Sequence, residues 1–230
     1  MKTIRIKRLI IIVFAISWME SPGNTMQDLQ EQNDEKKQTV KQDVPEGWES
    51  LFDGETLTGW RSVPYGGEGK PYVRNGSLIL PEAMEGVMTG VRWVGRPLPE
   101  NNYEIYYEAR RLTGDDIFAG LSFPYGDTAA SLIMGGWRNS VNGLSSIDGL
   151  DALENETSQF FSLRDNQWYK IELRVTTDSI QAFIGSTQIV DLETKGKAIH
   201  LRDMSLDTGL TFWTYLSTGE IRNVRIRKIQ

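Results

Sequence analysis

The sequence predicts an all-β protein, built as an antiparallel β-sandwich. Three observations carry that reading. Apolar and polar residues alternate with a period of two through many short segments. Turn signals recur roughly every eight to twelve residues. No segment keeps a helical apolar period for more than two turns.

Residues 103–111 show the alternation most clearly: Tyr103, Ile105, Tyr107 and Ala109 face one way, Glu104, Glu108 and Arg110 the other. Before them, Trp48, Leu51 and Phe52 lead into the Asp53-Gly54 turn signal and then to Trp60. Asn75-Gly76 predicts a hairpin ahead of a strand at 77–80. Strands are expected at 117–123 and 132–134, and again at 168–176, where Lys170, Glu172 and Arg174 point outward. Residues 180–184 and 188–192 form a hairpin about Gly185-Ser186. Segments 210–216 and 221–229 close the chain, and the two ends of the domain should pair or lie adjacent.

Three regions follow from composition. In residues 1–23, Lys2, Arg5, Lys7 and Arg8 precede an apolar run from Leu9 to Trp18 that is too short to span a bilayer. This is the pattern of a signal peptide, with an uncleaved signal anchor as the alternative, and it places the domain outside the cytoplasm. Residues 24–46 carry five glutamines, six acids and three lysines with few apolar groups, so they read as a disordered polar linker. Residues 47–230 are the folded domain. With residues 1–23 removed, 21 basic residues face 30 acidic ones, and a net charge near −9 argues against a nucleic-acid partner.

The chain has no cysteine and a single histidine, His200. Disulfides, thiolate metal sites and multi-histidine zinc sites are therefore excluded. A Ser-His-Asp triad is excluded unless His200 is its base.

Residues 135–157 stand apart. They read as a long glycine-rich connection carrying Trp137 beside Arg138, four acids (Asp148, Asp151, Glu154, Glu156), and the amides and hydroxyls of Asn139, Asn142, Asn155, Ser145 and Ser146. A flat ring stacks on sugar C–H faces, and amides read hydroxyls, so the palette suits a saccharide ligand. Long polar loops on β scaffolds carry function more often than they fill space. Trp137, Arg138, Asn139, Ser146, Asp148, Asp151 and Glu156 are the candidates; of these Trp137, Arg138, Ser146, Asp148 and Glu156 are expected to converge on a cleft with Arg111 and Trp213 from the neighbouring sheet. The competing explanation for Asp148, which precedes Gly149, is an Asx turn.

The opening Gly47-Trp-Glu-Ser-Leu-Phe-Asp-Gly-Glu-Thr-Leu-Thr-Gly-Trp60 resembles the start of the 3-keto-disaccharide hydrolase domain family. The Val73-Arg-Asn-Gly-Ser-Leu78 hairpin, Asn102-Tyr-Glu-Ile105 and the ending Gly219-Glu-Ile-Arg-Asn-Val-Arg-Ile226 agree with it. The Asn-Ser-Gly run usual in the family after the Tyr103 strand is replaced here by Asp116-Ile-Phe-Ala-Gly120.

The resemblance, over about residues 46–229, implies a concanavalin A-like jelly roll acting on a sugar already oxidised at C3. The ketone acidifies the C2 proton, a base removes it, the enolate expels the C1 substituent, and water adds to the double bond. Asp148, Asp151 and Glu156 are candidate bases, with Arg138 or Arg111 stabilising the enolate. No cofactor is required, and a carboxylate-held divalent cation is compatible with these acids. A two-carboxylate glycosidase ranks lower, because the Glu-x-Asp-x-x-Glu strand pattern is missing. The alternative from another class is a non-catalytic carbohydrate-binding or adhesion module, with Trp137 and Trp213 as stacking platforms.

The composition of residues 24–46 generates a first prediction. Limited trypsin treatment should cut at Lys36, Lys37 or Lys41 and leave a folded core beginning near Val44; protection of all three lysines would show that this segment is ordered.

Overall fold

A computed structural model describes residues 44–84, 86–201 and 209–230. The predicted signal segment and nearly all of the predicted linker lie outside the described residues. The described residues form two antiparallel sheets.

The eight-stranded sheet runs β13 (Thr187–Glu193), β12 (Ser179–Ile184), β11 (Tyr169–Val175), β6 (Tyr103–Gly114), β15 (Ser217–Lys228), β4 (Ser77–Leu80), β3 (Tyr72–Arg74), with β1 (Glu49–Ser50) also on β15. The seven-stranded sheet runs β10 (Gln159–Phe160), β9 (Val141–Ser145), β8 (Thr128–Gly135), β7 (Gly120–Tyr125), β14 (Thr211–Tyr215), β5 (Met88–Trp93), β2 (Trp60–Ser62).

The first and last segments of the domain pair as expected: Glu49 lies opposite Ile226, and the Leu51 N–H donates to Val224 O at 2.9 Å. The opening motif is structural. Asp53 Oδ1 accepts the Glu55 and Thr56 amides at 2.8 Å each, and the Trp60 indole donates to Leu51 O at 2.8 Å. Alternation on β6 places Tyr103, Ile105, Tyr107 and Ala109 in the core between the sheets, with Leu121, Phe123, Leu132 and Phe212 from the other side.

The outward residues of the eight-stranded sheet interlock. Arg174 and Arg227 both bind Glu104, Arg222 binds Glu108, and Arg110 and Arg222 stack on Trp168 with centroid distances of 4.6 and 3.9 Å.

Two expectations are corrected. The strand expected at 117–123 begins only at Gly120, because residues 115–119 bend to follow the buried Asp116 carboxyl, which accepts the Ile117 N–H at 2.9 Å. Residues 135–157 are not one long loop. Strand β9 runs through them, pairing Leu144 with Leu132 and Ser145 with Ser131. Its sequence Val-Asn-Gly-Leu-Ser carries too few apolar residues for its period to show.

The seven-stranded sheet is also covered on its outer face. Trp213 lies there, fully buried, opposite Gly90 on β5 and Gly120 on β7. A Cβ at Gly120 would sit 2.6 Å from the Trp213 ring, so the indole lies on that backbone. Gly120→Ala should therefore lower stability by about 1–3 kcal/mol through overpacking, read as a fall in the urea midpoint at unchanged slope.

Candidate functional site

Antiparallel register aligns polar side chains into one row across the outer face of the seven-stranded sheet. Arg61 on β2 lies opposite Arg92 on β5, Arg92 opposite Thr211 on β14, Thr211 opposite Ser122 on β7, Ser122 opposite Ser131 on β8, and Ser131 opposite Ser145 on β9. These residues share a face because their neighbours Phe212, Leu121, Leu132 and Leu144 point into the core.

The hydroxyls of Thr211, Ser122, Ser131 and Ser145 form a buried floor, while Arg92 is half-buried and Arg61 exposed. Ser122 and Ser131 Oγ are 3.1 Å apart, and Ser122 Oγ accepts the Trp213 indole N–H at 3.2 Å. At the far end the Ser145 hydroxyl donates to Asp151 Oδ1 in a short hydrogen bond, and Asp151 is half-buried. The row thus runs from two guanidinium groups to one carboxylate.

Beside it, Met88, Ile117, Ile133, Val141, Ala152 and Trp213 form a second apolar cluster, with Tyr65, Trp137 and Tyr215 packed against it. Past Pro124, a separate cavity of about 410 Å³ is lined also by Trp93, Arg96, Leu98, Glu100 and Asp127, of which Trp93 and Leu98 pack against the core between the sheets.

Residues 150–158 reach this face because Asn155 organises them. Its buried amide donates to Leu144 O at 2.7 Å and to Asp151 O at 2.9 Å, while its carbonyl accepts the Thr157 N–H and hydroxyl at 2.9 and 2.7 Å. The Thr157 hydroxyl also accepts the Leu144 N–H at 2.9 Å. A Cβ at Gly143 would meet Thr157 O at 2.7 Å, so the segment lies directly on β9.

The expected convergence of seven residues does not occur; together with Asn139 and Asp151 the candidates separate into four groups. Asp151 and Trp213 stand on the outer face, and Trp213 belongs to the same sheet as β9 rather than to its neighbour. Trp137 packs at the edge of the same apolar cluster.

Asp148 and Glu156 share Lys197 at 3.3 and 2.5 Å, away from the row. Asp148 Oδ1 accepts the Ala198 amide at 2.8 Å, which together with Lys197 holds its carboxyl below the usual range. With φ +54° followed by Gly149 at φ +78°, Asp148 closes a tight turn between Ile147 and Leu150. Ser146 exchanges backbone hydrogen bonds with His200 at 3.2 and 3.1 Å. These contacts tie the turn to residues 197–200, a structural assignment for Asp148, Glu156 and Ser146.

Arg138 points into solvent, 87% exposed, and meets Asp115 at 3.3 Å. Asn139 grips the Leu163 backbone through both ends of its amide at 2.8 and 3.0 Å. Arg111 does face inward but serves as a buried strut: it binds Asp165 at 2.6 Å, Leu163 O at 2.9 Å and Asp116 O at 3.4 Å. These contacts make Arg111 and Asn139 fixtures of the 163–165 segment.

Gly135, Gly143 and Gly149 have positive φ, whereas Gly136 is needed for space against Ile133. Sequence reasoning missed Arg61, Arg92, Thr211, Ser122 and Ser131, whose alignment exists only through strand register. Among the described residues, no group of three or more His, Asp or Glu is placed to hold a metal ion.

The match to a family model covers residues 47–229, which is the whole two-sheet domain. The chain belongs to the 3-keto-alpha-glucoside-1,2-lyase-like domain family. Among solved structures, this 3-keto-alpha-glucoside-1,2-lyase-like domain is similar to a Crh5 transglycosylase in complex with NAG (10% identity, 81% of this chain and 86% of that one, TM-score 0.57). It is also similar to a protein of unknown function with galectin-like fold from Bacillus subtilis (12%, 75% and 92%, TM-score 0.52). A third is a glycosyl hydrolase, so described in its structure, from Parabacteroides distasonis (15%, 80% and 95%, TM-score 0.51). At these identities the likeness concerns the fold, and it agrees with the concanavalin A-like jelly roll expected from the opening motif. No curated protein matches.

The hub role of Asn155 generates a prediction. Asn155→Ala leaves buried backbone groups of β9 and residues 150–158 without partners, and should destabilise the domain by about 3 kcal/mol in chemical denaturation. The depressed Asp148 carboxyl adds a pH signature. Its contribution is present above the unfolded carboxylate range and is lost as pH falls through the lowered folded value, so protection of the Ala198 amide, measured against its intrinsic exchange rate, should drop as pH falls through that value.

Proposed function

We propose that this domain cleaves 3-keto-glycosides at the C1 bond by eliminating across C1 and C2, with hydration of the product completing a net hydrolysis. The observation that carries the reading is the transverse row, which sets guanidinium groups at one end and a hydrogen-bonded carboxylate at the other over a floor of hydroxyls. Family membership supports the reaction class.

In this reading Asp151 removes the C2 proton of the keto-sugar. The electron pair moves into the C3 carbonyl to form an enolate, which collapses to a C1=C2 double bond as the C1–O bond breaks. Water then adds to that bond. Ser145 donates to Asp151 Oδ1, and the Ala152 N–H donates to the same oxygen at 3.0 Å, so these contacts fix the carboxylate's orientation. Arg92 stands four strands from Ser145, roughly 19 Å at the usual strand spacing, so its charge can meet only a distal part of the ligand and not the enolate. The reading takes the saccharide as ligand and, from residues 1–23, an extracytoplasmic location.

The test is release of the leaving group from a 3-keto-glucoside compared with the unoxidised glucoside. Wild type should act on the keto form alone. Asp151→Asn should reduce kcat about 10³-fold, the scale of a lost general base, while Asp148→Asn and Glu156→Gln leave kcat within about threefold. Binding of both sugars without any release would select a non-catalytic carbohydrate-binding module instead.

A further inference from the structure

The turn Gly136–Asn139 contains three successive non-glycine residues in left-handed helical conformation: Trp137 (φ 49°, ψ 61°), Arg138 (φ 54°, ψ 50°) and Asn139 (φ 61°). The left-handed form places Cβ against the following carbonyl, and such residues normally occur singly. A strained run of this kind persists only where its surroundings over-determine it, and it is characteristic of ligand clamps.

The surroundings here are specific. The Ser140 N–H closes the turn on Gly136 O at 2.9 Å, and the Ser140 hydroxyl donates to Trp137 O at 2.6 Å. Asn139 is fixed to the Leu163 backbone. The middle of the turn is held by one side chain: the Arg138 N–H donates to Asp116 Oδ2 at 3.0 Å, and the Trp137 N–H faces the same carboxylate.

Asp116 is itself 8% exposed and anchored. Its N–H donates to Ser217 Oγ at 2.9 Å, its carbonyl accepts the Ser217 hydroxyl at 2.9 Å, and Arg111 reaches that carbonyl as well. Burial pushes the Asp116 carboxyl up, so the fold carries this carboxylate against its own solvation. Arg138 contributes little else, since its side chain lies in solvent beside Asp115. What the turn accomplishes is to lay Trp137, partly exposed, against the apolar cluster around Trp213.

We propose that Trp137 is the wall on which the apolar face of the bound sugar stacks, and that Asp116 is a positioning residue that sets the angle of this wall by clasping the left-handed turn. The proposal rests on the saccharide reading of the outer face.

A double-mutant cycle tests it, on the full chain, with Asp116→Ala, Trp137→Ala and the pair. Each single change should raise KM for a 3-keto-glucoside about tenfold with kcat within about threefold. The pair should be no worse than Trp137→Ala alone, because Asp116 acts through that ring. Additive effects, or an unchanged KM in either single variant, overturn the proposal, and so does loss of kcat with KM unmoved.

Tryptophan emission supplies the readout that is independent of turnover. Asp116→Ala should shift emission to the red in the wild-type background and leave it unmoved in Trp137→Phe, with the far-ultraviolet circular dichroism unchanged. An equal shift in both backgrounds would make Asp116 a general structural residue and overturn its positioning role. If the emission result holds but wild type neither cleaves nor binds the 3-keto-glucoside, the ring is positioned as stated and the saccharide role fails together with the functional reading. If wild type cleaves normally and the emission result fails, only the present proposal falls.

Discussion

Strands β14, β7, β8 and β9 of the seven-stranded sheet are largely buried on both faces, and the rest of the molecule follows from that constraint. A sandwich sheet ordinarily sends alternate residues to water. Here the outward residues of β14 and β8 include Trp213 and Ile133, which need an apolar cover of their own. Two glycines opposite each other across β14 admit the Trp213 ring, and residues 150–158 supply much of the cover. A cover made of loop carries backbone groups that water no longer reaches. Asn155 and Thr157 meet them with side-chain hydrogen bonds to β9 and to the loop itself.

That arrangement gives the outer face its chemistry. Polar residues placed on an open sheet would be solvated and weakly interacting; the same residues under a partial cover act in a lower dielectric, where a guanidinium or carboxylate polarises its neighbours more strongly. The alignment of Arg92, Thr211, Ser122, Ser131 and Ser145 also requires no loop to hold it, since strand register fixes it. Loop residues enter only at the ends, Asp151 at one and Trp137 near the cluster, and each is fixed by specific hydrogen bonds. By contrast Asp148 and Glu156, both bound to Lys197, hold one loop to another and have no part in this row.

The sequence made the sandwich legible where alternation was strong. Tyr103, Ile105, Tyr107 and Ala109 announce a half-buried strand, and the structure puts each in the core. The pairing of the domain ends was legible too, since Leu51-Phe52 and Val224-x-Ile226 needed a common core. Strand β9 was not, because Asn142 and Gly143 break its pattern: Asn142 is occupied in accepting the Gly135 N–H, and Gly143 makes room for Thr157. Reading it as loop merged two separate groups of acids into one apparent cluster. The serine row was beyond reach for a different reason. Its members come from strands distant in sequence, and a one-residue change of register would send any of them into the core. Asp151 and Trp213 were found because residue type alone marked them, whereas Arg111 and Asn139 have the types of binding residues but are consumed by Asp165 and Leu163.

The central claim is that the outer face of the seven-stranded sheet is a saccharide site in which Asp151 meets the C2 proton. Deuterium incorporation at C2 of a 3-keto-glucoside with a non-departing C1 substituent, followed by nuclear magnetic resonance in D₂O, tests it without requiring bond cleavage. The account predicts exchange catalysed by wild type and by Asp148→Asn, and exchange at the uncatalysed rate with Asp151→Asn. Undiminished exchange in Asp151→Asn, with the variant folded, would contradict it.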